Sequence, residues 1–191
     1  MKNKIQGIIA ASIAVKQQLM DDDTMVSRMQ EVASQVAQCF RNGGRVYFCG
    51  NGGSAADAQH LAAEFTGRFY KDRAPLPAEA LHVNTSFLTA VANDYSYDQV
   101  YERMIKAQGR KGDVLFGIST SGNSKNVLLA QEEAKRRGMM VVSFTGAGGG
   151  KMKESCDFLF NMPSTDTPRI QEGHILTGHI ICQLVEEELY G

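Results

Sequence analysis

A hydroxyl-rich turn contains the first residues with a recognisable chemical capacity. It follows the apolar run 114–118, and from residue 126 to 137 the apolar spacing becomes helical. It carries four hydroxyl side chains, on Ser119, Thr120, Ser121 and Ser124. Such hydroxyls, together with the free N–H groups of a helix start, can bind a phosphate without any cationic side chain. The turn is therefore a predicted phosphate site; the alternative is an ordinary loop whose Ser and Asn residues cap the helix.

A second turn of the same design lies upstream. The apolar stretch Val46-Tyr-Phe-Cys49 is followed by the glycine-rich bend Gly50-Asn51-Gly52-Gly53-Ser54, and then by a predicted helix. Ligands of doubly wound sheets bind beyond the carboxyl ends of the strands, where the strand order reverses. Two such turns in one small chain therefore predict a single crevice.

Candidate acid–base and metal-ligating side chains lie on two predicted helices. His60 and Glu64 are four residues apart on one helix and share a face, so they can bind one metal or work as a proton-transfer pair. A surface or capping interaction is the alternative for this pair. On the last helix, Gln171 and His179 lie roughly 80° apart and can face one site. His174 lies in a different direction, which favours a structural role.

Two glycines, Gly173 and Gly178, lie inside the last predicted helix. Each costs about 1 kcal/mol relative to Ala in such a position. They predict close approach by another helix, across a subunit interface.

Asn93 and Asp94 follow a predicted helix after the second strand. Their side chains have the groups needed to hydrogen-bond sugar hydroxyls. An Asn-Asp pair at the end of a helix is equally a common turn.

The remaining pattern predicts one domain spanning residues 1–191, an α/β fold with a doubly wound parallel sheet. Two leading helices, 2–20 and 25–41, precede the first strand and offer a surface to a partner subunit. The predicted strands are 45–49, 78–83, 113–118, 139–145 and 157–162. The further helices are predicted near 54–68, 86–92, 97–107, 124–137 and 168–189, with a mobile loop at 146–150.

Composition argues against nucleic-acid and membrane partners. The formal charge is -1, the pI is near 6.4, and no basic block occurs. Four scattered cysteines without C-x-x-C spacing indicate free thiols in a reducing compartment, so we expect a cytoplasmic protein. The apolar stretch 7–15 after two lysines imitates a signal peptide, but an amphipathic helix with isoleucines every four residues explains it as well.

Six motifs in combination resemble the phosphoheptose isomerases of the sugar-isomerase (SIS) domain family. They are Cys49-Gly-Asn-Gly-Gly-Ser54, Asp57-Ala-Gln-His60 with Glu64, Ala92-Asn-Asp94, Gly117-Ile-Ser-Thr-Ser-Gly-Asn-Ser124, Arg169-Ile-Gln-Glu-x-His174, and His179. The resemblance covers nearly the whole chain, and the combination is highly specific. One departure is Pro168, which stands where the family usually has Ala or Asp.

The resemblance implies a flavodoxin-like sheet of five parallel strands in a homotetrameric cytoplasmic enzyme. Its reaction would convert sedoheptulose 7-phosphate to D-glycero-D-manno-heptose 7-phosphate, the first step of ADP-heptose synthesis for bacterial surface polysaccharide. The implied phosphate ligands are Ser119, Thr120, Ser121 and Ser124. The implied sugar site is lined by Asn51, Gly52, Gly53, Asn93 and Asp94. The implied zinc ligands, one zinc per subunit, are His60, Glu64, Gln171 and His179.

An aldose–ketose isomerisation needs a base for a carbon-bound proton and an acid for the carbonyl oxygen. Glu64 is the expected base and His179 the expected acid. A tightly held zinc would instead polarise the carbonyl, which leaves less room for Glu64 as a free base. The alternative function is that of the DnaA initiator-associating proteins, a sister group of non-catalytic scaffolds. That group departs from the isomerases at the positions matching Glu64 and His179, both of which this chain has.

Overall fold

The computed structural model of the protein describes residues 1–191, with five strands and seven α-helices. The strands are β1 Val46–Gly50, β2 Ala78–Ala80, β3 Val114–Ile118, β4 Met140–Thr145 and β5 Phe158–Asn161. The helices are α1 Lys2–Met20, α2 Asp23–Arg41, α3 Gly53–Thr66, α4 Thr85–Asp94, α5 Val100–Gln108, α6 Lys125–Arg136 and α7 Thr167–Tyr190. Short 3₁₀ turns at Tyr97–Gln99 and Lys151–Glu154 complete the chain.

All five strands are parallel and form one sheet in the order β2-β1-β3-β4-β5. The doubly wound, flavodoxin-like sheet predicted from the sequence is thereby confirmed. The second strand is shorter than the predicted 78–83, because the chain turns after Ala80 and the N–H of Val83 bonds back to the Ala80 carbonyl at 3.3 Å. The strand order reverses between β1 and β3, which places the crevice of such a sheet there.

The sheet separates two hydrophobic cores. The larger core contains alternate strand residues such as Phe48, Phe116 and Phe144, packed against α2, α3 and α7. The smaller core packs the opposite face of the sheet against α4, α5 and α6. Since α3 follows β1 on one face and α6 follows β3 on the other, the starts of these two helices flank the switch point. None of the seven α-helices combines the length and the hydropathy that a membrane span requires.

The glycines of α7 admit neighbours from the same chain. A Cβ on Gly178 would lie 2.6 Å from the Leu61 methyl groups on α3, and one on Gly173 would lie 2.4 Å from Met162 Sδ. The prediction that these glycines meet a helix across a subunit interface is therefore corrected: the helix at Gly178 is α3. Close approach of α3 and α7 offsets the cost of a helical glycine.

The loop after β4 is packed against the hydroxyl-rich turn. Gly122 has φ +66°, and a Cβ there would lie 2.3 Å from the Gly149 carbonyl oxygen. The N–H of Gly146 bonds to the Thr120 carbonyl at 3.0 Å, and that of Met152 bonds to the Gly122 carbonyl at 3.0 Å. The loop after β4 therefore supports the turn, and its mobility stays a prediction.

His174 has the structural role that its helical direction favoured. The side chain is fully buried, and its Nε2 lies 3.0 Å from the Thr145 carbonyl oxygen. Burial lowers the pKa of this imidazole to about 4, against a smaller opposing effect of that hydrogen bond. His174 is therefore a neutral core residue that ties α7 to the end of β4.

The contact between Gly122 and Gly149 predicts a large effect of a single methyl group. Gly122→Ala places an L-residue at φ +66° against a backbone oxygen, so we expect it to lower the free energy of unfolding by about 2 kcal/mol or more. Urea unfolding measures the change. The control is Gly148→Ala in the facing loop, where a Cβ has nothing within 4 Å. Equal unfolding midpoints for the two variants would contradict the packing described here.

Candidate functional site

Three polar side chains meet where α3 and α7 run side by side. His60 Nε2 lies 2.9 Å from His179 Nε2 and 3.2 Å from Glu64 Oε1. One ligand atom from each of the three residues lies within 4.8 Å of the other two. His60 and Glu64 share a face because they are one helical turn apart. The close approach of α7 at Gly178 then brings His179 to them.

The protonation of this cluster follows from its surroundings. Burial lowers the pKa of His179, the neighbouring His60 lowers it further, and the Glu64 carboxylate opposes both. The neutral imidazole is therefore favoured at His179. Asp57, one turn before His60, has one carboxylate oxygen buried without a hydrogen-bond partner, and burial raises its pKa to about 6 while His60 opposes the rise.

Gln171 lies against the first glycine-rich turn. A Cβ on Gly53 would be 2.4 Å from the Gln171 amide nitrogen, so the side chain rests on the start of α3. Gly52 has φ +57°, a conformation that favours glycine, and precedes that helix. The structure thus sets Gln171 at the start of α3 and the His60, Glu64 and His179 cluster farther along the same helix.

The hydroxyl-rich turn forms a small network of its own. Ser119 Oγ lies 2.8 Å from Ser124 Oγ and 3.3 Å from Ser121 Oγ. Ser124 is the N-cap residue of α6, yet its side chain makes no capping hydrogen bond. Its hydroxyl points at the turn instead, which argues against the reading of the serines as helix caps.

Thr120 and Ser121 also line a cavity of about 240 Å³ between this turn and the start of α7. The other residues around it are Gly146, Ala147, Gly148, Ser164, Thr165, Thr167 and Ile170. No charged side chain lines it. A phosphate there would be bound by hydroxyl and backbone N–H groups alone.

The two turns are linked across the switch point by a pair of amides. Asn51 and Asn126 donate to each other's oxygen, both at 2.9 Å, and the Tyr97 hydroxyl donates to Asn51 Oδ1 at 3.2 Å. The side chain of Asn51, predicted to line the sugar site, is thus engaged by Asn126 on α6. Sequence reasoning assigned no role to Asn126 or Tyr97, because nothing in the order of residues signals a contact across so many positions.

Asn93 and Asp94 lie apart from these contacts. They are exposed at the end of α4, and Asn93 Nδ2 donates to Asp94 Oδ1 at 2.9 Å. Neither side chain hydrogen-bonds to the cluster or to the hydroxyl-rich turn. Their contact with a sugar stays a prediction.

The cluster is suited to a divalent metal. Two imidazole nitrogens and one carboxylate oxygen are donors that zinc commonly takes in protein sites. His60, Glu64 and His179 hold these atoms within 4.8 Å of one another, and His60 is half exposed, which leaves a side open to solvent. The residues present therefore fit a metal ion.

Comparisons with known proteins identify the family of this chain. The sequence pattern described as "SIS domain" matches residues 9–146. The phosphoheptose isomerase of Clostridium acetobutylicum is 51% identical over 191 residues, covering 100% of this chain and 97% of the relative. A Campylobacter jejuni relative named phosphoheptose isomerase 2 is 50% identical over 191 residues, covering 100% of this chain and 95% of the relative. The solved phosphoheptose isomerase of Neisseria gonorrhoeae superposes with a TM-score of 0.91 at 44% identity, over 97% of this chain and 98% of that one. The chain therefore belongs to the phosphoheptose isomerases, enzymes of the SIS domain family.

Proposed function

We propose that the protein interconverts sedoheptulose 7-phosphate and D-glycero-D-manno-heptose 7-phosphate. The observation that carries this proposal is the meeting of Glu64 and His179, from two separate helices, within 4.8 Å. A carboxylate and an imidazole so placed supply the base and the acid that a proton shift between adjacent carbons requires. A place at the first step of ADP-heptose synthesis goes with this activity by family resemblance.

Glu64 removes the carbon-bound proton and returns it to the neighbouring carbon. His179 donates its ring N–H to the carbonyl oxygen and takes up the proton of the neighbouring hydroxyl as the new carbonyl forms. The lowered pKa of His179 is compatible with this role, because a neutral imidazole still carries one N–H donor. Ser119, Thr120, Ser121 and Ser124 anchor the phosphate, which fixes the reacting carbons over the two groups.

Zinc is the metal we propose for the cluster, bound by His60, Glu64 and His179 with Gln171 as the fourth ligand. When bound, zinc would supply a Lewis acid that polarises the carbonyl, and Glu64 and His179 would then act as its ligands rather than as the free base and acid. The support for it is the donor set, and Gln171 is included from family resemblance. Gln171 extends from the same helix as His179, where it lies against the start of α3.

The active form is proposed to be a homotetramer built around the helical pair of residues 1–42. Of the nineteen residues of α1, only Val15 and Leu19 are buried, whereas Ile5, Ile9 and Ile13 are each more than half exposed. A helix gains most of its stability from the packing of its apolar face, so this one needs a covering surface. The expected cover is the same helix of other copies.

All four cysteines are free, which supports the cytoplasm as the compartment.

Turnover of sedoheptulose 7-phosphate tests the proposed activity. Glu64→Gln keeps the shape of the side chain but removes the base, so we expect kcat to fall by about 10²–10⁴-fold. Circular dichroism checks the fold, and exposed Glu132→Gln on α6 is the matched control, with expected wild-type turnover. A wild-type protein without turnover would favour the scaffold function of the initiator-associating proteins.

Chelator treatment followed by zinc titration tests the metal in the same assay, and turnover unaffected by both would oppose a catalytic zinc.

The phosphate turn predicts a binding defect separate from the chemical step. Ser124→Ala removes a hydroxyl that bonds to Ser119 and does not cap α6. We expect KM to rise by about tenfold or more, as for a lost hydrogen bond to a charged group, with a smaller change in kcat. Initial rates over a range of substrate concentrations measure both. Ser27→Ala, at an exposed position on α2, is the control, and an equal KM in the two variants would oppose the assignment.

The isoleucine face of α1 predicts the outcome of a charge substitution. Ile9→Asp places a carboxylate in the proposed subunit contact, so we expect the assembly to dissociate to smaller species, because a buried unpaired charge is costly. Sedimentation measures the mass in solution. Ala11→Asp adds the same charge about 160° from the centre of the face formed by Ile5, Ile9 and Ile13, and should leave the mass unchanged. A wild-type protein that sediments as a single chain would overturn the tetramer.

A further inference from the structure

A buried ion pair joins α7 to the segment that follows α3. Arg73 Nε lies 3.0 Å from Glu186 Oε2, and the two side chains are 2% and 3% exposed. The Glu186 carboxylate also accepts the backbone N–H groups of Phe69, Tyr70 and Lys71, at 3.1, 2.8 and 2.7 Å. Four donors therefore converge on one carboxylate, which fixes the segment on α7.

The other end of this ion pair reaches the helix that carries Glu64. Arg73 Nη2 donates to the Glu64 carbonyl oxygen at 2.9 Å, and Nη1 donates to the Phe65 carbonyl oxygen at 2.7 Å. These are carbonyls of the last turn of α3, which have no partner within the helix. The guanidinium thus holds the end of α3 at the residue proposed as the base.

The Glu186 carboxylate is linked through Phe69 to His179, the imidazole proposed as the acid. The N–H of Phe69 bonds to Glu186, and the Phe69 ring lies against the His179 ring with 5.7 Å between centroids. Glu186 itself lies on α7, about two turns beyond His179. The Arg73–Glu186 pair therefore contacts the Glu64 carbonyl directly and the His179 ring through Phe69.

The network is built to keep Glu186 ionised. Burial alone would raise the pKa of this carboxyl, but the N–H groups of Lys71, Tyr70 and Phe69 and the Arg73 guanidinium together lower it below its ordinary value. A buried ion pair is by itself a weak source of stability, because desolvation offsets most of the attraction. What distinguishes this pair is that it also binds backbone groups of residues 69–71 and of the end of α3, so its charges fix the position of one backbone segment against another.

We propose that Arg73 and Glu186 are positioning residues, which set the distance between Glu64 on α3 and His179 on α7. Neither side chain is placed at the substrate. They act through the Glu64 carbonyl and through the Phe69 ring beside His179. This inference deepens the proposed isomerase function and rests on it.

Two variants at the ion pair test this role. Glu186→Gln retains the shape but leaves two of the four converging donors facing an NH₂ group, and Arg73→Lys keeps the charge but loses the forked contacts with the α3 carbonyls. We expect kcat to fall by about 10–100-fold in each, with KM within about threefold, because the phosphate turn is untouched. Zinc affinity, measured by competition with a chelator, should weaken by about 10–100-fold, since its proposed ligands come from both helices.

The control separates positioning from stability. Val185→Ala, next to Glu186 in the core, destabilises the protein without removing a contact of the ion pair. All variants are measured at a temperature where unfolding curves show them folded. Values of kcat and zinc affinity in Glu186→Gln and Arg73→Lys that equal those of Val185→Ala would overturn the proposal. If Glu186→Gln does not fold, Arg73→Lys decides.

The zinc measurement also distinguishes the two levels of inference. A wild-type protein that binds zinc without turning over the sugar phosphate would refute the isomerase function, and the affinities of the variants would then decide the positioning role. A wild-type protein that does neither would refute both.

Discussion

The site depends on the close, parallel packing of α3 against α7. Gly178 lacks the Cβ that would collide with Leu61, so the two helices approach closely enough for His179 to meet His60 and Glu64. Contacts then follow in order along both helices, with Gln171 on Gly53, His179 on His60, and Glu186 beyond the end of α3. A wider separation would leave a histidine and a carboxylate on one helix with nothing opposite.

The second constraint is the reversal of strand order between β1 and β3. It sends α3 to one face of the sheet and α6 to the other, so the backbone N–H groups at both helix starts face the same edge. The amides of Asn51 and Asn126 bridge that edge. The hydroxyl-rich turn is also held by the loop after β4, through a close contact with the Gly149 carbonyl that a side chain at Gly122 would block.

These two constraints position different parts of the site. The sheet and its two apolar cores fix the positions of the helix starts, and the contacts between α3 and α7 bring His60, Glu64 and His179 together. The cavity beside the turn has no charged side chain in its lining. The buried charges of Arg73 and Glu186 contact the Glu64 carbonyl and the Phe69 N–H rather than the side chains of the cluster.

The sequence by itself determined the fold class and most of the element boundaries, because apolar periodicity and glycine-rich turns are local signals. It also identified His60, Glu64 and His179, since a pair one helical turn apart and a family motif are both readable along the chain. Only the tertiary structure decided that Gly178 meets α3 of the same chain, that Asn51 pairs with Asn126, that the loop 146–150 supports the turn, and that Arg73 reaches Glu64. Each of these joins residues that are distant in sequence or depends on the exact approach of two backbones, and local propensity carries no information about either.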